Sequence, residues 1–119
     1  MAVALKTSVR TVEGVKVVDC SGRVVFGDEA SALRDLVKGL LTDHKQIVLN
    51  LGEVTYIDSG GLGMLVGLYT SAHKAGGNVK LAALTKRVGD LLQVTKLLTV
   101  FEVFDTVEQA VASFLKAVG

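Results

Sequence analysis

The chain has 119 residues, half of them hydrophobic, with no proline and a single cysteine. Residues 1–119 therefore read as one domain, long enough to bury roughly two-thirds of its unfolded surface without a staple. Thirteen basic side chains against twelve acidic ones leave no basic stripe for nucleic acid, and Cys20 alone cannot close an internal disulfide.

Leu5 to Val12 reads as a first strand, Glu13-Gly14 as a tight turn, and Val15 to about Cys20 as a second strand. Cys20 sits in an alternating apolar run and is expected to be a buried packing residue. Gly22 breaks the pattern before a short extended piece, Val24-Val25-Phe26. A first helix starts near Asp28, which is expected to cap it, and places Ala30, Leu33, Leu36, Val37, Leu40 and Leu41 on one face. After the polar turn Asp43-His44-Lys45, Ile47 to Leu51 is apolar on both faces, as a central strand covered on both sides must be. A second helix begins near Leu62, carries Leu65, Val66, Tyr69 and His73 on its stripe, and stops at Gly76-Gly77. Val79 to Leu84 is the next strand. Thr85 caps a third helix with Val88, Leu91 and Leu92 inward. Val100, Phe101, Val103 and Phe104 form a brief strand. Thr106 to Gln109 fits a capping box for a last helix with Val107, Ala110, Val111, Phe114, Leu115 and Val118 inward. Alternating strands and helices after a hairpin predict an α/β fold. The expected sheet is mixed and four- to five-stranded, parallel inside with an antiparallel edge, and carries about four helices.

The N-terminus lacks the basic start and long apolar core of a signal peptide, and no apolar run approaches membrane-span length. The expectation is a soluble, cytoplasmic protein with no membrane partner.

The most informative segment is Asp58-Ser59-Gly60-Gly61-Leu62-Gly63, between the apolar strand and the second helix. It puts a serine where a helix start offers unpaired N–H groups and a positive dipole end. Such a serine either reacts or is modified. Reaction has little support. The nucleophile elbow Gly-x-Ser-x-Gly needs a glycine where Ile57 stands, and neither His44 nor His73 is expected to reach Ser59. A phosphate-binding reading of Gly61-x-Gly63 meets Val66 at the third glycine position and lacks Gly-Lys-Ser/Thr, so these glycines are read as turn geometry and close helix packing. Two distant histidines and one cysteine make no metal site, and no cofactor is expected. The side of the second helix bearing Gly63, Met64, Gly67, Leu68 and Ser71 is flat and poor in charge. A neighbouring helix could cover it, or it could be a docking surface beside Ser59.

Ile47-Val48-Leu49-Asn50-Leu51 followed by Val54-Thr55-Tyr56-Ile57-Asp58-Ser59-Gly60-Gly61-Leu62-Gly63, then Gly76-Gly77 before a Lys-Leu strand and Leu97-Leu98-Thr99-Val100-Phe101, resembles the STAS domain of bacterial anti-sigma factor antagonists. The resemblance implies a small α/β binding module rather than an enzyme. It implies partner switching, in which the unmodified protein binds an anti-sigma factor that is also a serine kinase and so frees a sigma factor. The kinase would phosphorylate Ser59 and a serine phosphatase would reverse it. Partner contacts are expected from Asp28, Asp58, Ser59, Gly60, Gly61, Gly63, Met64 and Gly67. Two positions depart from the family pattern. Gly60 stands where a second Ser or Thr is common, and the acidic residue before the first helix is delayed to Asp28. A scaffold or ligand-binding STAS module in a non-sigma pathway is the alternative.

A phosphate on Ser59 would add about −1.5 to −2 charges at neutral pH. The helix N-terminus would favour that charge, so the fold need not change.

Overall fold

The computed structural model describes residues 5–115. Five strands form one sheet in sequential order: β1 (Lys6–Val12), β2 (Val15–Val24), β3 (Gln46–Ile57), β4 (Asn78–Ala82) and β5 (Val103–Phe104). β1 and β2 are an antiparallel hairpin, and every later pairing is parallel. The helices are α1 (Asp28–Leu41), α2 (Ser59–Lys74), α3 (Lys86–Val94) and α4 (Val107–Leu115), with a 3-10 turn at Leu97–Thr99.

Alternation along the strands makes two cores. One face of the sheet presents Val18, Cys20, Val24, Ile47, Leu49 and Leu81 to α1, α2 and α3, which return Leu33, Val37, Leu65, Leu68, Val88 and Leu92. Each fully buried leucine is worth roughly 1.5–3 kcal/mol, so this layer carries most of the driving force for folding. The other face presents Val15, Val17, Val48 and Ala82 to α4, through Val107, Ala110, Val111 and Phe114. Leu115 of the expected α4 stripe is exposed, and Val118 lies outside the described residues. Cys20 is buried as expected, and burial, with some help from the Asp19 charge, pushes its thiol up to about 12.

Several boundaries differ from the sequence reading. β2 runs through Gly22, where the register with β3 shifts between Gly22 and Arg23. β3 extends six residues past Leu51, to Ile57. Only its first part, Gln46 to Asn50, pairs with β4; from Glu53 onward it pairs with β2 alone. This half-covered stretch alternates buried Val54 and Ile57 with exposed Glu53 and Thr55. β4 ends at Ala82, and Val100 and Phe101 are not strand: Phe101 is a buried plug after the 3-10 turn. Asp28 does not cap α1. Gly27 holds that position at φ 130, and Asp28 is the first helical residue, where its charge still suits the dipole. Thr85 and Thr106 do cap: their hydroxyls accept from Val88 N–H at 3.4 Å and Gln109 N–H at 3.1 Å.

Candidate functional site

Asp58 is the N-cap of α2, so the helix opens three residues earlier than its apolar stripe suggests, with Ser59 as its first residue. The Asp58 carboxylate accepts from the Gly61 N–H at 2.7 Å, and its carbonyl accepts from Leu62 N–H at 2.9 Å. The same carboxylate also accepts from the Phe26 N–H, at 3.0 and 3.1 Å to its two oxygens. These donors, Gly61 first and Phe26 second, hold the carboxyl below its ordinary range against a small opposing effect of burial. Asp58 thus ties the β2–α1 loop to the start of α2.

The tie fixes Phe26 in an unusual place. The residue is 82% exposed, the highest value among the large hydrophobic residues described. It lies over Gly60, where a Cβ would stand 2.5 Å from the Phe26 Cβ. The glycine at position 60 thus makes room for an aromatic residue delivered by the loop before α1. Neither composition nor periodicity identifies Phe26, because its position depends on a hydrogen bond to a residue 32 positions away.

Ser59 is exposed, and among the described residues its hydroxyl makes no hydrogen bond. Beside it a groove of about 610 Å³ runs between α1 and α2. Phe26 and Gly60 stand at one end and Ser71 at the other, with Gly63, Met64 and Gly67 on the α2 side and Arg34 and Lys38 on the α1 side. A Cβ on Gly63 or Gly67 would meet nothing within 4 Å, so these glycines are not demanded by helix packing. They leave the groove open. Gly61 is different. It is buried, and a Cβ there would collide with the Val24 carbonyl. The expectation of a partner contact at Gly61 is corrected: its role is to let α2 sit against β2. Leu68 is likewise removed from the exposed face, being fully buried in the core. Asp28 is exposed at the groove's end, and Asp58, half-buried, is committed to backbone donors.

The groups a serine hydrolase would need are elsewhere. His73 lies in the last turn of α2, about 20 Å along the helix from Ser59 at 1.5 Å per residue, and stacks on Tyr69 at 4.4 Å. His44 precedes β3, at the strand end opposite Ser59. Among the described residues no group of three His, Cys, Asp or Glu side chains could hold a metal, and no helix is long and apolar enough to cross a membrane.

A family model for the STAS domain matches residues 6–110. The chain belongs to the STAS domain family. Among curated relatives, the anti-sigma-B factor antagonist of Bacillus subtilis strain 168 is 32% identical over 74 residues, covering 62% of this chain and 68% of that protein. An anti-sigma factor antagonist from Mycobacterium paratuberculosis superposes with a TM-score of 0.80 at 24% identity, covering 95% of this STAS domain chain and 97% of that one. The Bacillus cell fate determinant SpoIIAA, solved in its phosphorylated form, superposes with a TM-score of 0.71 at 15% identity, covering 92% and 99%. At these identities the structural matches establish the STAS fold, with the same mixed sheet and N-terminal hairpin.

Proposed function

We propose that this STAS protein is an anti-sigma factor antagonist that works by phosphorylation-controlled partner switching. The reading rests chiefly on one observation: an exposed serine opens α2 directly beside a capping carboxylate and at the mouth of an open groove. Unmodified Ser59 allows an anti-sigma factor with serine kinase activity to dock across Phe26, Gly60, Gly63, Met64 and Gly67. Phosphorylation ends the complex, and a serine phosphatase restores it. A relative of the same fold has been solved in a phosphorylated form, which supports the same chemistry here.

The position of Asp58 sharpens the physics. Its carboxylate already takes the Gly61 N–H that a phosphate would otherwise use. Phosphate on Ser59 would therefore add about −1.5 to −2 charges next to an existing negative charge, at one edge of the docking face. Burying such an anion unpaired against a partner costs ~2–5 kcal/mol, a roughly thirty- to several-thousand-fold loss of affinity. No rearrangement of the fold is required.

The test is phosphosite mapping after incubation with the purified anti-sigma kinases of the source organism. Phosphate is expected on Ser59 and lost in Ser59→Ala. Phosphate on Thr55 or Ser71, with none on Ser59, would overturn the reading. Thr55 is a useful contrast because its hydroxyl donates to the Gly22 carbonyl at 3.2 Å.

The groove supports a second reading, a ligand-binding module, because its volume of about 610 Å³ falls in the range of small-molecule sites. Native mass spectrometry of protein from its own cell distinguishes the two: a bound small molecule favours the ligand reading.

A further inference from the structure

A second cluster stands at the same end of the sheet and is not used by the switch. Tyr56 lies three residues before Ser59 on β3, and Arg23 is its register neighbour on β2. Arg87 reaches the same ring from the first turn of α3. The two guanidinium carbons lie 5.1 Å and 5.5 Å from the centroid of the Tyr56 ring. Both arginines are exposed, and neither makes an ion pair among the described residues.

Folding alone does not favour this arrangement. The N-terminal turn of a helix prefers acidic residues, because cations there oppose the helix dipole. α1 and α4 follow the rule, with Asp28 and Glu29 in one first turn and Glu108 in the other. α3 reverses it: its first turn holds Lys86 and Arg87 and no acid. Lys86 is offset by Asp90, at 2.8 Å. Arg87 is not, and Arg23 adds a second positive charge on the same ring. What the ring contributes is preorganisation. A guanidinium held against an aromatic face keeps its N–H fork directed outward at reduced entropic cost.

We propose that Arg23, Tyr56 and Arg87 form a docking point for an acidic segment of a protein partner, read through its carboxylates. Planar forks match carboxylates in bidentate fashion. The three residues lie outside the groove beside Phe26, at the surface, which suits an extended segment laid across them. The proposal does not depend on phosphorylation of Ser59, so either can fail alone.

The test is an NMR titration of the purified protein with a short Asp/Glu-rich peptide at low salt, following backbone amides and arginine side-chain N–H signals. Shifts are expected at Arg23, Tyr56 and Arg87, fading as salt is raised. Arg23→Glu and Arg87→Glu should each weaken binding by about tenfold, since attraction becomes like-charge repulsion. Arg34→Glu, in the α1–α2 groove, should leave it unchanged. Tyr56→Leu keeps every charge but removes the platform, and should weaken binding severalfold. The proposal is overturned if the shifts spread over all basic residues, if they gather at Arg34 and Lys38, or if Tyr56→Leu binds as wild type. Inorganic phosphate moving the Arg23 and Arg87 signals as strongly as the peptide would mean a simple anion site and overturn it too.

Discussion

At the start of α2 a carboxylate holds an aromatic ring out in water; on the opposite face of the sheet two aromatic rings hold a lysine in. Phe26 is fixed by Asp58 in an exposed position over Gly60. Lys80 is buried, with its ammonium 4.1 Å from the centroid of Phe114 and 5.7 Å from that of Phe104, donating to Ser113 Oγ at 2.8 Å and paired with Glu102 at 3.1 Å. Packing and hydrogen bonding account fully for the second arrangement: every group around Lys80 helps fasten α4 and β5 to the sheet. They do not account for the first. An apolar side chain stands in solvent on a backbone held by the Asp58 carboxylate, and the docking role proposed for the α2 end rests on that difference.

The contrast can be broken by substitution. The largest stability effect is expected at Gly61→Ala, because the new Cβ must displace the backbone of β2 or α2. Chemical denaturation should show a loss of about 3 kcal/mol or more, and a loss under about 1 kcal/mol would mean the contact relaxes freely. Next is Lys80. Lys80→Ala should cost about 2–3 kcal/mol, from the void left beneath Phe114. Lys80→Met should stay within about 1 kcal/mol of wild type, since an apolar replacement for a buried ion pair is often neutral. Glu102, half-exposed, can return to water. A large loss in the Met variant would show that the charge itself is structural.

Phe26→Ala separates the two regions most sharply. With the ring in solvent, stability should change by less than about 0.5 kcal/mol. Affinity for the anti-sigma factor proposed as partner should fall by about thirtyfold, as for an aromatic anchor of the interface. Unchanged affinity would remove Phe26 from the docking face. The smallest effect concerns acid. Asp58 has a depressed folded value, so what it contributes is complete above the ordinary carboxylate value of 3.8 and is lost as pH falls through the lower folded value. The Phe26 amide resonance should therefore titrate with a midpoint below 3.8. A midpoint at or above that value would contradict the hydrogen bonds described for Asp58.

The mixed sheet with its hairpin edge, the inward face of α1 and that of α4 apart from Leu115 were legible because their periodicity reflects burial directly. The place of Ser59 at a helix start was legible because the helix must open between β3 and its apolar stripe. The second half of β3 was not. Once it leaves β4 it keeps one neighbour, and Gly52, Glu53 and Thr55 look like loop residues although they pair with β2 or stand beside residues that do. Gly61 and Gly63 look alike in sequence, yet one is required by the Val24 carbonyl and the other borders open space. That distinction exists only once α2 is laid against β2. Phe26 was hidden for the same reason: the bond that exposes it joins two distant elements.

The central claim is tested most directly by calorimetric titration of the anti-sigma kinase proposed as partner with wild type, Ser59→Ala and Ser59→Asp. Ser59→Ala should bind as wild type, and Ser59→Asp at least about thirtyfold more weakly, the lower end expected for an uncompensated charge in the interface. Equal affinity for Ser59→Asp and wild type would contradict the electrostatic switch.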